Sequence, residues 1–203
     1  MNTTLLEQFY TVASDGYMGA TKTTGSKSAV YLRDAVLSKE IRKALQDVLA
    51  PELSKSDVRV RKESYSMGRS IHITLRLDKN KYAPSRDEYK QIVVENVKRQ
   101  RYNWIQNGEG KEVFHEAYWG MSDEEKRKAE QATAEQRAIW DYDRDTVDIN
   151  QYHIDKEDML TDDGKKIIEV ANQVIKAFNY DDSNAQVDYF DTNFYYSLKV
   201  EWK

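Results

Sequence analysis

The chain has 203 residues, of which 39% are hydrophobic and 33% charged, with a formal net charge of −4. That length supports one domain with a full core or two small ones. The absence of cysteine excludes a disulfide framework, thiolate catalysis and cysteine-ligated zinc, and fits a cytosolic protein.

The first 30 residues are polar and small. Leu5, Leu6, Phe9 and Tyr10 predict one short anchoring turn, and "ATKTTGSKSA" reads as loop. From about Val30 the pattern tightens. "LSKEIRKALQDVLA" places Ile41, Ala44, Leu45, Val48 and Leu49 on one helical stripe, with Ser38 as its cap and Pro51 ending it. Two alternating runs follow. In "DVRVRKESY", Val58 and Val60 oppose Arg59 and Arg61; in "SIHITLRLD", Ile71, Ile73, Leu75 and Leu77 oppose His72, Thr74, Arg76 and Asp78. With "YSMGRS" as the connecting loop they predict a hairpin with one apolar face.

The middle of the chain reads as helical. "PSRDEYKQIVVENVKRQRYNWIQ" has Ser85 and Glu88 at capping-box spacing, and "MSDEEKRKAEQATAEQRAIWDYD" repeats this with Ser122 and Glu125. The second helix has a thin stripe of Ala129, Ala132, Ile139 and Trp140, so most of it faces solvent or a partner. Between the two, "NGEGKEVFHEAYWG" reads as loop, exposing Phe114, Tyr118 and Trp119. After Thr161 as a cap, Ile167, Ile168, Ala171, Val174, Ile175 and Phe178 form another helical stripe. A short strand around Val187–Phe190, a turn at "DTN" and a strand "FYYSLKVEW" close the chain.

Both ends thus read helix, strand, strand. The expected fold class is α+β: two helix–hairpin units sharing a four-stranded antiparallel sheet, with the helices on one face and a helical insertion. Residues 1–203 form a single domain in this reading, with the first unit at 30–80, the insertion at 81–150 and the second unit at 151–203.

No catalytic set is legible. His72, His115 and His153 are scattered, and "TTGSK" carries only the tail of a phosphate-loop pattern. Asp141, Asp143, Asp145 and Asp148 alternate as at the start of a calcium loop. Thr146 stands where that loop needs glycine, however, and Tyr152 where it needs a bidentate glutamate. No metal and no cofactor are expected. No secretory signal is visible, and no apolar run approaches the roughly 18 residues of a membrane span, so no membrane partner is expected.

Charge is uneven along the chain: residues 1–140 carry 24 Lys/Arg against 20 Asp/Glu, and residues 141–203 carry 7 against 15. Arg59, Arg61 and Arg76 form one basic patch, and Lys98, Arg99 and Arg101 another, either of which suits a nucleic-acid backbone. An ordinary charged sheet face competes with that reading. Tyr118, Trp119, Trp140 and the acidic run Asp141, Asp143, Asp145 and Asp148 are the candidate contact surface for a protein partner, because carboxylates can occupy phosphate sites on an Arg/Lys-rich surface.

"EIRKALQDVL" followed by "DVRVRKESYSMGRSIHITLRLD" resembles the start of the large polyvalent protein-associated domains of phages and conjugative elements. "LTDDGKKIIEVANQVIKAFNYDDSNAQVDYFDTNFYYSLKV" is similar to their second half. The resemblance spans the blocks at about 30–78 and 160–202; the central insertion and the N-terminal lead depart from it. It implies a phage or mobile-element accessory protein in the cytoplasm of a host bacterial cell, in conflict with host defences. The leading expectation is therefore a non-enzymatic counter-defence inhibitor of the anti-CRISPR or anti-restriction type, binding a host nuclease or its guide-RNA complex. A nucleic-acid-binding module is the alternative, and an enzyme acting on nucleic acid or a nucleotide messenger a third reading.

Overall fold

The structure is a computed structural model that describes residues 1–28, 34–66 and 68–203, with only the backbone of Asp34 and Ala35. The start of the tightened pattern at Val30, the Ala29 end of the predicted loop and Met67 in the predicted hairpin connection lie outside the described residues. In chain order the elements are α1 (Thr3–Leu6), β1 (Thr11–Asp15), β2 (Thr21–Gly25), α2 (Asp34–Val48), β3 (Val58–Tyr65), β4 (Gly68–Leu77), α3 (Lys79–Tyr82) and α4 (Arg86–Lys98). There follow β5 (Trp104–Gln106), β6 (Glu112–Phe114), α5 (Asp123–Arg137), β7 (Thr146–Ile149), α6 (Asp162–Phe178), β8 (Tyr180–Asp181) and β9 (Tyr195–Trp202). The chain is mixed α and β and divides into two compact units. One comprises Met1–Leu77, Asp148–Glu157 and Asp162–Lys203; the other Asp78–Val147 and Asp158–Thr161.

The first unit is built on a four-stranded mixed sheet in the order β3-β4-β9-β7. The antiparallel β3–β4 pair is the predicted hairpin, with Val58 opposite Leu75 and Arg61 opposite His72. The central pair β4–β9 is parallel, which corrects the all-antiparallel expectation. A parallel pair needs a long crossover, and here a helix, α6, precedes the returning strand. The predicted strand around Val187–Phe190 is not formed. Ala185–Val187 makes a tight helical turn, and Asp188 takes a left-handed conformation with φ 56°. The strand on the far side of β9 is instead β7, out of the acidic run.

Alternation places the core as the apolar pattern requires. Ile71, Ile73, Leu75 and Leu77 are buried, as are Phe194, Leu198, Val200 and Trp202. Tyr196 lies on the same side, half-buried, and donates its hydroxyl to Asn172 Oδ1 at 2.7 Å. Against them lie the stripes of α2 (Ile41, Leu45, Val48) and α6 (Ile167, Ile168, Val174, Ile175), all buried. α2 starts at Asp34, so Ser38 sits inside the helix and does not cap it.

The N-terminal "TKTTG" is a strand where the composition predicts loop. β1, β2 and β8 form a small three-stranded sheet. Gly25 ends β2 where it runs beneath the last turn of α6, and a Cβ there would lie 2.2 Å from the Ala177 carbonyl oxygen. Gly25 N–H donates to Asn179 O at 2.9 Å and Lys27 N–H to Ala177 O at 2.8 Å, so this segment satisfies carbonyls that the helix end leaves open. The Asn179 side chain accepts from Phe194 N–H at 3.2 Å and donates to Phe194 O at 3.1 Å, standing in for a strand partner just ahead of β9. Asp182 accepts from Tyr17 N–H at 2.9 Å, and Asp191 accepts from the Tyr180 hydroxyl at 3.2 Å. These carboxylates shape the loops, as short polar side chains do in turns.

In the second unit both capping boxes are present: Ser85 with Glu88 on α4, and Ser122 with Glu125 on α5. α4 stops at Lys98, well short of Gln106, because Gln100 turns the chain with φ 53°. The rest of the predicted helix becomes β5, which pairs with β6 across a loop holding Gly108 and Gly110, both at positive φ. The buried stripe of α5 is Ala129, Glu130, Thr133 and Ala134, continuing to Ala138, while Ile139 and Trp140 are exposed. Regular helical spacing already turns Ile139 to the side opposite that stripe, and the helix then closes in a widened turn with Asp143 N–H donating to Ala138 O at 3.0 Å. Among the described residues no helix is long and apolar enough to cross a membrane.

Candidate functional site

The open face of the large sheet follows from the register. Period-2 alternation that buries Val58, Ile73 and Leu198 must lift Arg59, Thr74 and Lys199 into one cross-sheet row. Arg61, His72 and Ser197 form the next row, and Glu63, Ser70 and Tyr195 the one after. The first two rows line a concavity of about 450 Å³, with Asp148 and Glu201 on its wall.

The charges on this face are partly paired. Glu201 is held by two guanidinium groups, Arg59 Nη1 at 2.8 Å and Arg76 Nε at 3.0 Å. Lys199 Nζ lies 3.1 Å from Asp148 Oδ1. Arg61 is exposed and forms no ion pair among the described residues. Exposed pairs of this kind contribute about 0–1 kcal/mol each, so an incoming phosphate can replace a carboxylate at little loss.

His72 joins the two polar rows. Its Nε2 lies 3.2 Å from Glu63 Oε2 and its Nδ1 2.8 Å from Ser197 Oγ. An ionised carboxylate only accepts, so Nε2 carries the proton and, in a neutral ring, Nδ1 accepts from the serine hydroxyl. Serine, histidine and glutamate in line invite comparison with a nucleophile, base and orienting acid. The backbone around Ser197 differs from that of such sites. Amides of a strand lie in the sheet plane, at right angles to the side chains, so the β9 N–H groups do not point at the space above Ser197 Oγ as an oxyanion hole requires. The row is suited to holding an anion.

The residues expected to contact a protein partner differ in exposure and pairing. Tyr118, expected to be exposed, is buried at 5% exposure and donates its hydroxyl to Glu130 Oε1 at 2.6 Å. Burial and that carboxylate push its hydroxyl pKa up to about 12. A tyrosine can bury its ring once its hydroxyl finds a partner, and Glu130 is invisible as that partner from spacing alone. Trp119 and Trp140 remain exposed, at 57% and 49%. Asp141 accepts from Tyr89 Oη at 3.3 Å and Arg137 Nη1 at 3.2 Å, and Asp143 pairs with Arg86 Nη2 at 3.1 Å. Burial, with Asp141 adding to it, drives the Tyr89 hydroxyl pKa far above its ordinary value. Asp145 is exposed, and Asp148 belongs to the sheet unit. Among the described residues no three His, Asp or Glu side chains gather as a metal site.

Of the residues expected to meet nucleic acid, Arg59, Arg61 and Arg76 share the sheet face. Lys98, Arg99 and Arg101 belong to the second unit, where Lys98 pairs with Glu95 at 3.0 Å and Arg99 and Arg101 are exposed. Two features escaped the pattern reading. Ser197 and Lys199 enter the site only through the parallel pairing of β9 with β4. Trp104 and Phe114 stack face to face at 3.7 Å on the small hairpin, both exposed. The signal for that hairpin was "NGEG" between "WIQ" and "EVF", two short apolar-containing runs around turn residues. Comparison with family models, curated proteins and solved structures finds no match to this chain.

Proposed function

We propose that the protein is a nucleic-acid-binding accessory protein of a phage or other mobile genetic element, and that it binds its partner without transforming it. The observation that carries this reading is the concave row of Arg59, Arg61, His72, Ser197 and Lys199, with Arg61 exposed and outside any ion pair among the described residues. Cations about one strand spacing apart suit the oxygens of a phosphate backbone and carry no base-specific information. The resemblance of the two sequence blocks to mobile-element modules supplies the biological setting.

Binding to labelled DNA and RNA should weaken steeply with salt. Three phosphate contacts correspond to a loss of about 40-fold between about 50 and 200 mM salt. The Arg61→Glu/Lys199→Glu double variant should abolish the salt-sensitive part while leaving the thermal melt in place. Salt-independent binding, no binding at low salt, or binding indifferent to the double variant would each sink the reading.

A second reading, a counter-defence inhibitor that occupies a host nuclease or its guide-RNA complex, draws on another observation. Ile139 and Trp140 are 59% and 49% exposed, next in sequence to the carboxylates of Asp141, Asp143 and Asp145. An exposed aromatic anchor followed in sequence by carboxylates, two of them in weak surface ion pairs that a partner can exchange, suits an interface facing a basic groove. In pull-downs with purified restriction and CRISPR effectors, this reading expects a complex that Trp140→Ala weakens at least about tenfold. A complex with none of them removes it.

A further inference from the structure

We propose that the β5–β6 hairpin is a stacking platform for unpaired bases, so that the protein prefers single-stranded over duplex nucleic acid. This rests on the nucleic-acid reading above and adds a site in the other compact unit.

Trp104 and Phe114 keep 44% and 58% of their surface in solvent while stacking on each other at 3.7 Å with planes 29° apart. Large rings left outside the core in contact with each other form an apolar step. The step is held rigidly from beneath. Ile105, on the face of β5 opposite Trp104, is buried, and Gln106 N–H donates to the buried Thr133 Oγ1 of α5 at 2.9 Å. A third ring, Trp119, is 57% exposed and packs edge-on against Tyr118 at 5.4 Å. Such a surface offers π-faces whose rings carry no polar group beyond the indole N–H, which suits sequence-tolerant binding of unpaired bases.

Charge selects the occupant. Trp104 and Phe114 are the pair at the open end of the hairpin, and Gln106 and Glu112 the pair at its turn. The chain that enters the open end brings Arg99 and Arg101, both exposed and outside any ion pair among the described residues. Three residues of chain span at most about 11 Å, so Arg101 stays close to the stacked rings. Glu112 sits toward the turn, and Glu116 is the one carboxylate just past Phe114. Rings with two exposed guanidinium groups in the chain that leads to them match the alternation of bases and phosphates in a single strand. In a duplex the bases are already stacked and cannot reach the rings.

The test uses the full chain, an oligothymidylate of about twelve nucleotides and a duplex of similar length. Affinity is read by fluorescence anisotropy, and contact by quenching of tryptophan emission. The single strand should bind at least about tenfold more tightly than the duplex, and Trp104→Ala should lower its affinity by about 5- to 100-fold while leaving duplex binding unchanged. Trp104→Phe retains a π-face and should restore most of the affinity. Phe114→Leu, which keeps apolar packing, should also weaken the single strand if Trp104→Ala does not fold. If Arg61→Glu/Lys199→Glu abolishes binding and the hairpin variants do not change it, the platform is overturned and the sheet-face reading stands. Equal losses on single strand and duplex also overturn the platform. Binding of neither oligonucleotide overturns both.

Discussion

Replacing Phe194 by alanine should lower the stability of the sheet unit by about 3–5 kcal/mol. Phe194 is among the largest fully buried side chains, with 2% of its surface exposed. It stands just ahead of β9, where the chain leaves the loop held by Asn179, and packs its ring against Tyr196 at 6.3 Å between centroids. Removing it leaves a cavity against the sheet, and Asn179 already holds both backbone groups of Phe194, which limits how far the site can collapse. Urea denaturation measures the loss. Tyr195→Ala, one residue on and 47% exposed, is the control and should stay within about 0.5 kcal/mol. A loss below about 1 kcal/mol at Phe194 would contradict a buried ring.

Asp57→Ala should remove about 3 kcal/mol, because one carboxylate oxygen serves three donors. Oδ2 accepts from Ser54 N–H at 3.0 Å, the Ser54 hydroxyl at 2.7 Å and Lys203 Nζ at 2.6 Å. It therefore caps the turn that leads into β3 and ties it to the end of the chain after β9. The same group sets a pH dependence. Burial would raise the Asp57 pKa, but hydrogen bonds from Lys203 and Ser54 outweigh it, and the net shift is downward from 3.8. A carboxylate depressed in the folded state stabilises fully above its unfolded value and loses that contribution as pH falls through its folded value. The contribution from Asp57 is thus present at neutral pH and lost only in the acid range below about 4, in line with linkage for a depressed carboxylate. Stability measured from pH 7 downward should fall less in Asp57→Asn than in the unmodified chain over that range; parallel curves would contradict the assignment.

The stripes of α2 and α6, the β3–β4 hairpin and the buried face of β9 are legible because each carries its own period in an unbroken run. Side chains at 3.6- or 2-residue spacing have one way to leave water. Capping boxes are read as easily, since both partners lie within four residues. The site on the sheet is legible only in part. Arg59, Arg61 and Arg76 share a face by alternation alone, but what faces them across the sheet depends on which strand comes next. The expected second hairpin would have put its own first strand in the sheet; β4 and β7 flank β9 instead. That choice brings Ser197 beside His72 and Lys199 beside Asp148.

By itself, the sequence determined the amphipathic elements, the capping boxes of α4 and α5 and the polar outer face of the sheet, because those are local consequences of side-chain spacing. Only the tertiary structure decided the parallel β4–β9 pairing, the recruitment of β7, the burial of Tyr118 by Glu130 and the stacking of Trp104 on Phe114. Each of these joins residues that no periodic pattern relates. Their pairing depends on how the chain closes its loops and which buried polar groups find partners, and those energies exist only once the distant segments meet.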